Sequence, residues 1–340
     1  MIVLVTGAFG NIGTSTVTEL LAAGHQVRCF DLPTRANRRR AARFGDRIRP
    51  FWGDIRRPQD LAPAVTGCDA VIHLAFIIPK MSTTRLESES VPELAHSVNV
   101  DGTCNLLDVI RMQARPPRLI FASSMHVYGQ TQHLPPPRRV VDPVAPMEHY
   151  ARHKIECEEM VRSSGLRWTI LRFAATFPLA LQLDPGMFDV PLDNRIEFVH
   201  TRDVGLAVTR AIECDAVLGK TLHIGGGRAC QYLFGEMADQ LLEAMGVGML
   251  PTQAFSIIPF GTDWLDTDES EALLHYQRHD LRDYVRDMVA LLGPRRQMIR
   301  LLRPFVRAWL LQRSLYYRRT QPRGWTRGIA WLRWVFGAAT

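Results

Sequence analysis

The sequence predicts a doubly wound α/β fold with a parallel sheet, and three observations carry that prediction. Short apolar runs of β type recur at 1–6, 27–30, 70–75, 118–123 and 167–173. Segments with helical patterning lie between them, at 15–23, 98–112 and 147–163. Turn residues punctuate the joins, as at Gly24 and at Gly67-Cys68-Asp69. Strands separated by helix-sized segments form βαβ units, whose crossovers are right-handed and whose ligands bind beyond the carboxyl ends of the strands.

Composition sets the outer limits. The 340 residues are 46% hydrophobic and 22% charged, with a mean hydropathy of −0.06. These values exclude a disordered chain, a collagen and a disulfide scaffold. At roughly 100–200 residues per domain, the length fits about two domains. The six cysteines contain no Cys-x-x-Cys pair, so neither a zinc site nor a disulfide framework is expected, and a reducing, cytoplasmic compartment is. The opening MIVLVTG has no basic region or cleavage site, so no signal peptide is expected. No apolar run reaches the ~18–20 residues of a spanning helix.

Charge divides the chain. Residues 295–340 hold eleven arginines and no Lys, Asp or Glu, so the other 294 residues sum to −4 of the total +7. The chain is therefore read as three parts: 1–175, to which 198–225 returns, 176–294, and a basic amphipathic helical tail at 295–340. The motifs and the family resemblance given below make the first a dinucleotide-binding domain and the second a substrate-binding region.

The first run leads into Thr6-Gly7-Ala8-Phe9-Gly10-Asn11-Ile12-Gly13. Glycines there let the backbone approach a ligand, and the helix that opens next offers unpaired N–H groups to a pyrophosphate. The alternative is a tight turn whose glycines serve packing only. Asp31 closes the second strand, where a carboxylate can accept both ribose hydroxyls of NAD and repel the 2′-phosphate of NADP. NAD is therefore favoured over NADP. Arg35, Arg38, Arg39 and Arg40 follow, either as a solvated helix face or as a phosphate-binding offset to that repulsion.

Tyr150 and Lys154 are spaced i, i+4 and share one helix face. A nearby ammonium is expected to lower the phenol's pKa, so that Tyr150 works as an acid or base near neutrality. Such a pair also arises by chance in many helices. It gains weight from Ser123-Ser124-Met125-His126-Val127-Tyr128-Gly129 at the end of a predicted strand, where a hydroxyl can hydrogen-bond a substrate oxygen whose charge changes. Asn99 can bond backbone or water near the lysine, or cap a helix. His73 reads as structural, His126 as a structural residue rather than a second base, and Asp203 as a helix N-cap. No metal constellation is present.

These residues resemble the extended short-chain dehydrogenase/reductase family, which includes the NAD-dependent epimerase/dehydratase proteins. The matching segments are TGAFGNIG at 6–13, Asp31, GDI at 53–55, HLA at 73–75, Asn99, SSMHVYG at 123–129, YARHK at 150–154, LRF at 171–173 and FVHTRDV at 198–204. They follow the family's order across roughly 1–230. The resemblance implies a Rossmann-like domain, a smaller C-terminal substrate domain and a homodimer. It places Gly7, Gly10, Asn11, Ile12 and Gly13 at the pyrophosphate, Asp31 and Leu32 at the ribose, and Asp54 and Ile55 by the adenine. Leu74, Ala75 and Asn99 line the cofactor and Ala174 faces the nicotinamide. Ser124 takes the catalytic serine position, ahead of Ser123. Tyr150 exchanges the proton, and Lys154 holds the nicotinamide ribose.

Departures from the family narrow the reaction. Ser124-Met125-His126 offers no Thr-Asp-Glu acid pair, which disfavours elimination of water. Arg172-Phe173-Ala174-Ala175 lacks the Asn that many sugar-nucleotide epimerases use. The apolar loop Phe76-Ile77-Ile78-Pro79 suits a small or apolar alcohol or ketone, or is plain packing. The leading expectation is a dehydrogenase/reductase of that kind; an epimerase using tightly held NAD is the alternative. A non-catalytic dinucleotide sensor is the third, and the intact Ser124, Tyr150 and Lys154 set argues against it.

The tail holds Trp309, Trp325, Trp331 and Trp334 among its arginines, with Pro304 expected to limit its first helix. Attachment to an anionic membrane surface, docking on the body or a second subunit, and nucleic-acid binding are its three readings, with nucleic acid the least favoured.

Overall fold

The computed structural model describes residues 1–79, 86–180 and 183–320. Two compact units emerge. Unit 1 comprises 1–178, 197–231 and 261–280; unit 2 comprises 179–196, 232–260 and 281–340. The boundaries differ from those drawn on the sequence in two ways. Residues 261–280 cluster with the first unit, and the described part of the basic tail, 295–320, clusters with the second.

Unit 1 is built on a seven-stranded sheet. Its strands are β1 (Ile2–Thr6), β2 (Gln26–Asp31), β3 (Ile48–Trp52), β4 (Ala70–His73), β5 (Arg118–Ser124) and β6 (Trp168–Phe173), followed after the short β7 (Arg195–Glu197) by β8 (Thr221–Ile224). The order is β3-β2-β1-β4-β5-β6-β8, and every pairing is parallel. The order reverses between β1 and β4, which fixes the ligand crevice beyond Thr6 and His73. β9 (Gln231–Leu233) pairs with β7 in a separate two-stranded ribbon.

Alternation along each strand sends side chains to opposite faces. Val3, Val5, Cys29, Ile72, Ile120 and Leu171 enter one buried cluster, while Leu4, Phe30, Val71, Phe121 and Ile170 enter the other. Both faces are thus covered, as a parallel sheet requires.

The covering helices are α1 (Asn11–Ala22), α2 (Arg35–Ala42), α3 (Pro58–Val65), α4 (Pro92–His96), α5 (Gly102–Arg111), α6 (His149–Arg162) and α7 (Thr201–Ala211). α1 and α7 touch so closely that a Cβ on Gly205 would lie 2.8 Å from the Ser15 carbonyl carbon. The helix expected at 98–112 is interrupted by a π-helical turn over Ser97–Asp101, a distortion that accumulates at functional sites.

Asp203 is not the cap of α7. His200 occupies that position and its Nδ1 accepts from the Arg202 N–H at 3.2 Å. The Asp203 carboxylate instead accepts from the backbone N–H groups of Arg278 (3.0 Å) and His279 (2.9 Å) and pairs with His279 Nδ1 at 2.5 Å. It lies three residues past the cap, so it reaches over to tie down 278–279.

Unit 2 contains α8 (Phe234–Ala244), then, after α9 (Asp268–Leu274) of unit 1, α10 (Leu281–Leu292), α11 (Pro294–Leu301), α12 (Arg303–Arg313) and α13 (Leu315–Thr320). Pro304 sits in the first turn of α12, where its missing N–H costs nothing. Trp325, Trp331 and Trp334 lie outside the described residues. Among the described residues no helix is long and apolar enough to cross a membrane.

Candidate active site

The glycine turn forms because nothing larger fits. Gly7 has φ +66°, and a Cβ on it would meet the backbone of Ala75 at 2.8 Å. A Cβ on Gly13 would lie 2.2 Å from the Gly7 carbonyl oxygen. Gly10 caps α1 without any side-chain hydrogen bond, so the first turn of α1, which contains Asn11 and Ile12, presents bare backbone. This narrow cradle at a helix N-terminus fits a dinucleotide pyrophosphate.

Asp31 lies at the end of β2 beside the turn. Its Oδ2 accepts from Phe9 N–H at 2.9 Å, and its Oδ1 from Leu32 N–H at 2.8 Å and Asn37 Nδ2 at 2.9 Å. Burial raises its pKa, those backbone donors opposing the shift. Two of the neighbouring arginines are occupied. Arg40 donates to the Phe9 carbonyl at 2.7 Å, and Arg38 lies over the Trp52 ring at 4.9 Å. Asp54 is held by Arg56, with Nη2 at 2.5 Å. Ile55 is buried, and a Cβ on Gly102 would touch it at 2.7 Å.

The β4 end connects the turn to the reactive side chains. Leu74 N–H donates to the Thr6 carbonyl at 3.2 Å and Ala75 N–H to Thr6 Oγ1 at 3.3 Å. His73 is spent on structure: Thr6 Oγ1 and Thr103 Oγ1 lie 2.7 and 2.9 Å from its two ring nitrogens. Burial pulls its pKa down to about 3.

One residue past Ala75, the Phe76 ring meets both Tyr150 and Lys154. It is edge-on to Tyr150, with centroids 5.9 Å apart, and Lys154 Nζ lies 3.3 Å from its centroid. Asn99 pins this loop, accepting from Ile77 N–H at 2.7 Å and donating to Ile77 O at 3.0 Å, while its Nδ2 lies 3.3 Å from His153 Nδ1. Its polar atoms thus serve the loop backbone.

Tyr150 and Lys154 sit on α6, whose first N–H groups, including that of Tyr150, donate to Glu89. Ser124, at the end of β5, accepts from His126 N–H at 3.2 Å, and its hydroxyl acts on the Tyr150 phenol to draw its pKa down. His126 pairs with Glu148 at 3.1 Å and sits edge-on to Tyr150 at 6.1 Å. Ser123 points away, donating to buried Glu158 at 2.5 Å. Ala174 is buried at the end of β6 and donates its N–H to Ile224 O.

The expected electrostatics are corrected here. Lys154 Nζ donates to the Ala122 carbonyl at 2.5 Å and faces aromatic rings, lying 5.6 Å from the Tyr150 ring centroid. Among the protein's own groups, it is Ser124 that acts to lower the phenol's pKa. Burial outweighs it and, with the Glu148 carboxylate, pushes Tyr150 up to about 12. Burial pulls Lys154 down to about 7, against the pull of Cys157 and Glu158. The Phe76 face favours the charged ammonium, as a desolvated cation–π contact does.

A polar network under the site was not legible beforehand. Arg172 donates to Glu158 with Nε at 2.9 Å and Nη2 at 2.7 Å, and to the Tyr128 hydroxyl at 2.7 Å. The Tyr128 hydroxyl lies 2.6 Å from His223 Nε2. The available signal was Glu158 at i+4 from Lys154, on the same face of α6. Among the described residues, no group of three or more His, Cys, Asp or Glu could hold a metal ion.

Comparison with known proteins agrees with this architecture. The family described as NAD dependent epimerase/dehydratase matches residues 3–177. A 3-beta-hydroxysteroid dehydrogenase of Mycolicibacterium neoaurum is 36% identical over 130 residues, 37% of this chain and 32% of that protein. UDP-glucose 4-epimerase 4 of Oryza sativa subsp. japonica is 36% identical over 220 residues, 60% of this chain and 57% of that protein. The chain thus spans about a third to just over half of these relatives' lengths. The dTDP-glucose 4,6-dehydratase DesIV of Streptomyces venezuelae, solved with NAD and TYD bound, superposes with a TM-score of 0.71 at 26% identity, covering 88% of this chain and 98% of that one. With the family match extending over half of its length, the chain belongs to the NAD-dependent epimerase/dehydratase family.

Proposed function

We propose that this protein is an NAD-dependent oxidoreductase acting on a small or apolar alcohol or ketone. The observation that carries the reading is the run from Gly7 through Ala75 and Phe76 to Tyr150 and Lys154, which supports a phenol working beside a bound nicotinamide. The turn at Gly7, Gly10 and Gly13, with Asn11 and Ile12, holds the pyrophosphate. Asp31 selects NAD, and Arg38 and Arg40 are engaged elsewhere, which favours the same choice. When bound, the dinucleotide supplies the acceptor or donor of hydride.

The protein's part is to position the substrate and move a proton. Ser124 orients the substrate oxygen. The Tyr150 hydroxyl donates its proton to a ketone being reduced, or takes one from an alcohol being oxidised. Lys154 holds the nicotinamide ribose. A phenol pushed up to about 12 is protonated near neutrality, so oxidation of an alcohol is expected to quicken as the pH rises toward that value. The apolar loop at Phe76, Ile77 and Ile78 favours an apolar substrate over a charged one.

The epimerase reading is kept because UDP-glucose 4-epimerase 4 matches over 60% of the chain. A panel of apolar secondary alcohols and of UDP-hexoses, incubated with NAD, separates the two. Net NADH formation with an alcohol is expected. Inversion of a UDP-hexose without net NADH replaces the dehydrogenase reading with the epimerase.

A further inference from the structure

We propose that the outward face of α11 and α12 is a docking surface for an anionic lipid bilayer. An ordinary surface helix turns its apolar stripe inward, as α12 does only near its end with buried Leu310 and Leu311; α11 and the first turns of α12 are inverted. Here arginines turn inward. Arg296 Nε donates to the Ala244 carbonyl at 2.7 Å and Arg303 Nε to Val247 at 2.9 Å. Arg307 Nη1 donates to Val247, Gly248 and Met249 at 3.1, 2.9 and 2.6 Å. These carbonyls end α8 and its following turn, where a helix leaves acceptors without partners and attracts cations.

The opposite side carries Met298, Leu301 and Leu302, which are 58%, 82% and 40% exposed, and the stripe continues at Phe305. The spacing is i, i+3, i+4, i+7, one helical face. Backbone bonds from Leu302 N–H to Met298 O and from Val306 N–H to Leu302 O carry the helical path across the junction. Arg295 and Arg313, both exposed, flank this stripe by helical spacing, and no acidic residue occurs from 294 to 340.

Glu243 pairs with the inward-turned Arg303 at 3.5 Å, and an apolar stripe flanked by Arg295 and Arg313 matches the acyl boundary and headgroups of a negatively charged bilayer. A second copy of the chain fits less well, because a two-fold contact would set arginines against arginines. Nucleic acid would reward the arginines and leave Leu301 unrewarded. With no helix long enough to span among the described residues, the face lies in the plane of the surface.

The test is cosedimentation of the full chain with phosphatidylcholine vesicles carrying about 30% phosphatidylserine, against phosphatidylcholine alone. Binding to the anionic vesicles is expected, weaker by about tenfold on the neutral ones and in high salt. The double variant Met298→Asp/Leu301→Asp should lose about tenfold in binding with an unchanged melting temperature, since both side chains are exposed. Arg295→Gln/Arg313→Gln should cut the preference for phosphatidylserine by about tenfold. Equal binding to both vesicle types, or undiminished binding by the aspartate variant, overturns the proposal. So does a dimer that the aspartate variant dissociates, which would assign the face to a second copy.

Discussion

The reactive lysine is a buried cation, and that has a measurable cost. Lys154 is 3% exposed, and its pKa falls from 10.5 to about 7. Between those values the unfolded chain holds a proton that the folded chain releases, so this group's contribution makes stability rise with pH across that window. Below about 7 the folded protein bears the full cost of the buried charge. Lys154→Met therefore raises the melting temperature most at pH 6, with the gain shrinking toward pH 10; thermal unfolding at pH 6 and 9 measures the difference. Phe76 acts on the same charge. Removing its ring face in Phe76→Leu takes away a contact of about 0.5–2 kcal/mol, which moves the lysine's limb in the pH profile of kcat/KM down by about one pH unit. The spacing of Tyr150 and Lys154 was legible in the sequence. The sign of the phenol's shift was not, because burial of the ring sets it while Nζ turns to Phe76 and Ala122 O, and no spacing rule records either.

At the level of elements, α6 is fastened to β6 by a buried ion pair. Glu158 accepts from Arg172 on both oxygens, and from Ser123 and Arg162. The Arg172 guanidinium holds the Glu158 carboxyl below its ordinary range despite burial. Glu158→Gln leaves a buried guanidinium without its counter-charge, and a loss of about 3–5 kcal/mol is expected in chemical denaturation. A loss below about 1 kcal/mol would mean that the clamp is not what fixes α6. The central strands β1, β2, β4, β5 and β6 were legible as apolar runs, because both their faces are buried. The edge strand β3 was not, because Pro50 breaks its pattern; an edge tolerates a proline that a central strand does not. The opposite edge, β8, is only four residues long. The π turn at Ser97–Asp101 also escaped prediction, since the register slip that aims Asn99 at Ile77 leaves the helical composition unchanged.

Across the whole molecule, charge has been sorted by role. The eleven arginines of 295–340 mark out a separate basic segment in the sequence, and three of them turn inward onto unit 2. Composition shows how much charge there is and leaves open which face it occupies. The same holds for the polar core of unit 1, where Glu158, Arg172, Tyr128 and His223 form one buried chain from residues far apart in sequence. The ordering of the glycine turn, the β4 end and α6 follows from the parallel topology, and this is why the crevice was predictable while its electrostatics were not. In the proposed function the Tyr150 hydroxyl moves the proton beside a bound dinucleotide. Tyr150→Phe tests it most directly, with turnover and NADH binding measured on the same preparation. Turnover is expected to fall at least about 100-fold, with dinucleotide affinity within about threefold of the parent, since the phenyl ring keeps its edge contact with Phe76. A variant that binds NADH and turns over at the parental rate would contradict it.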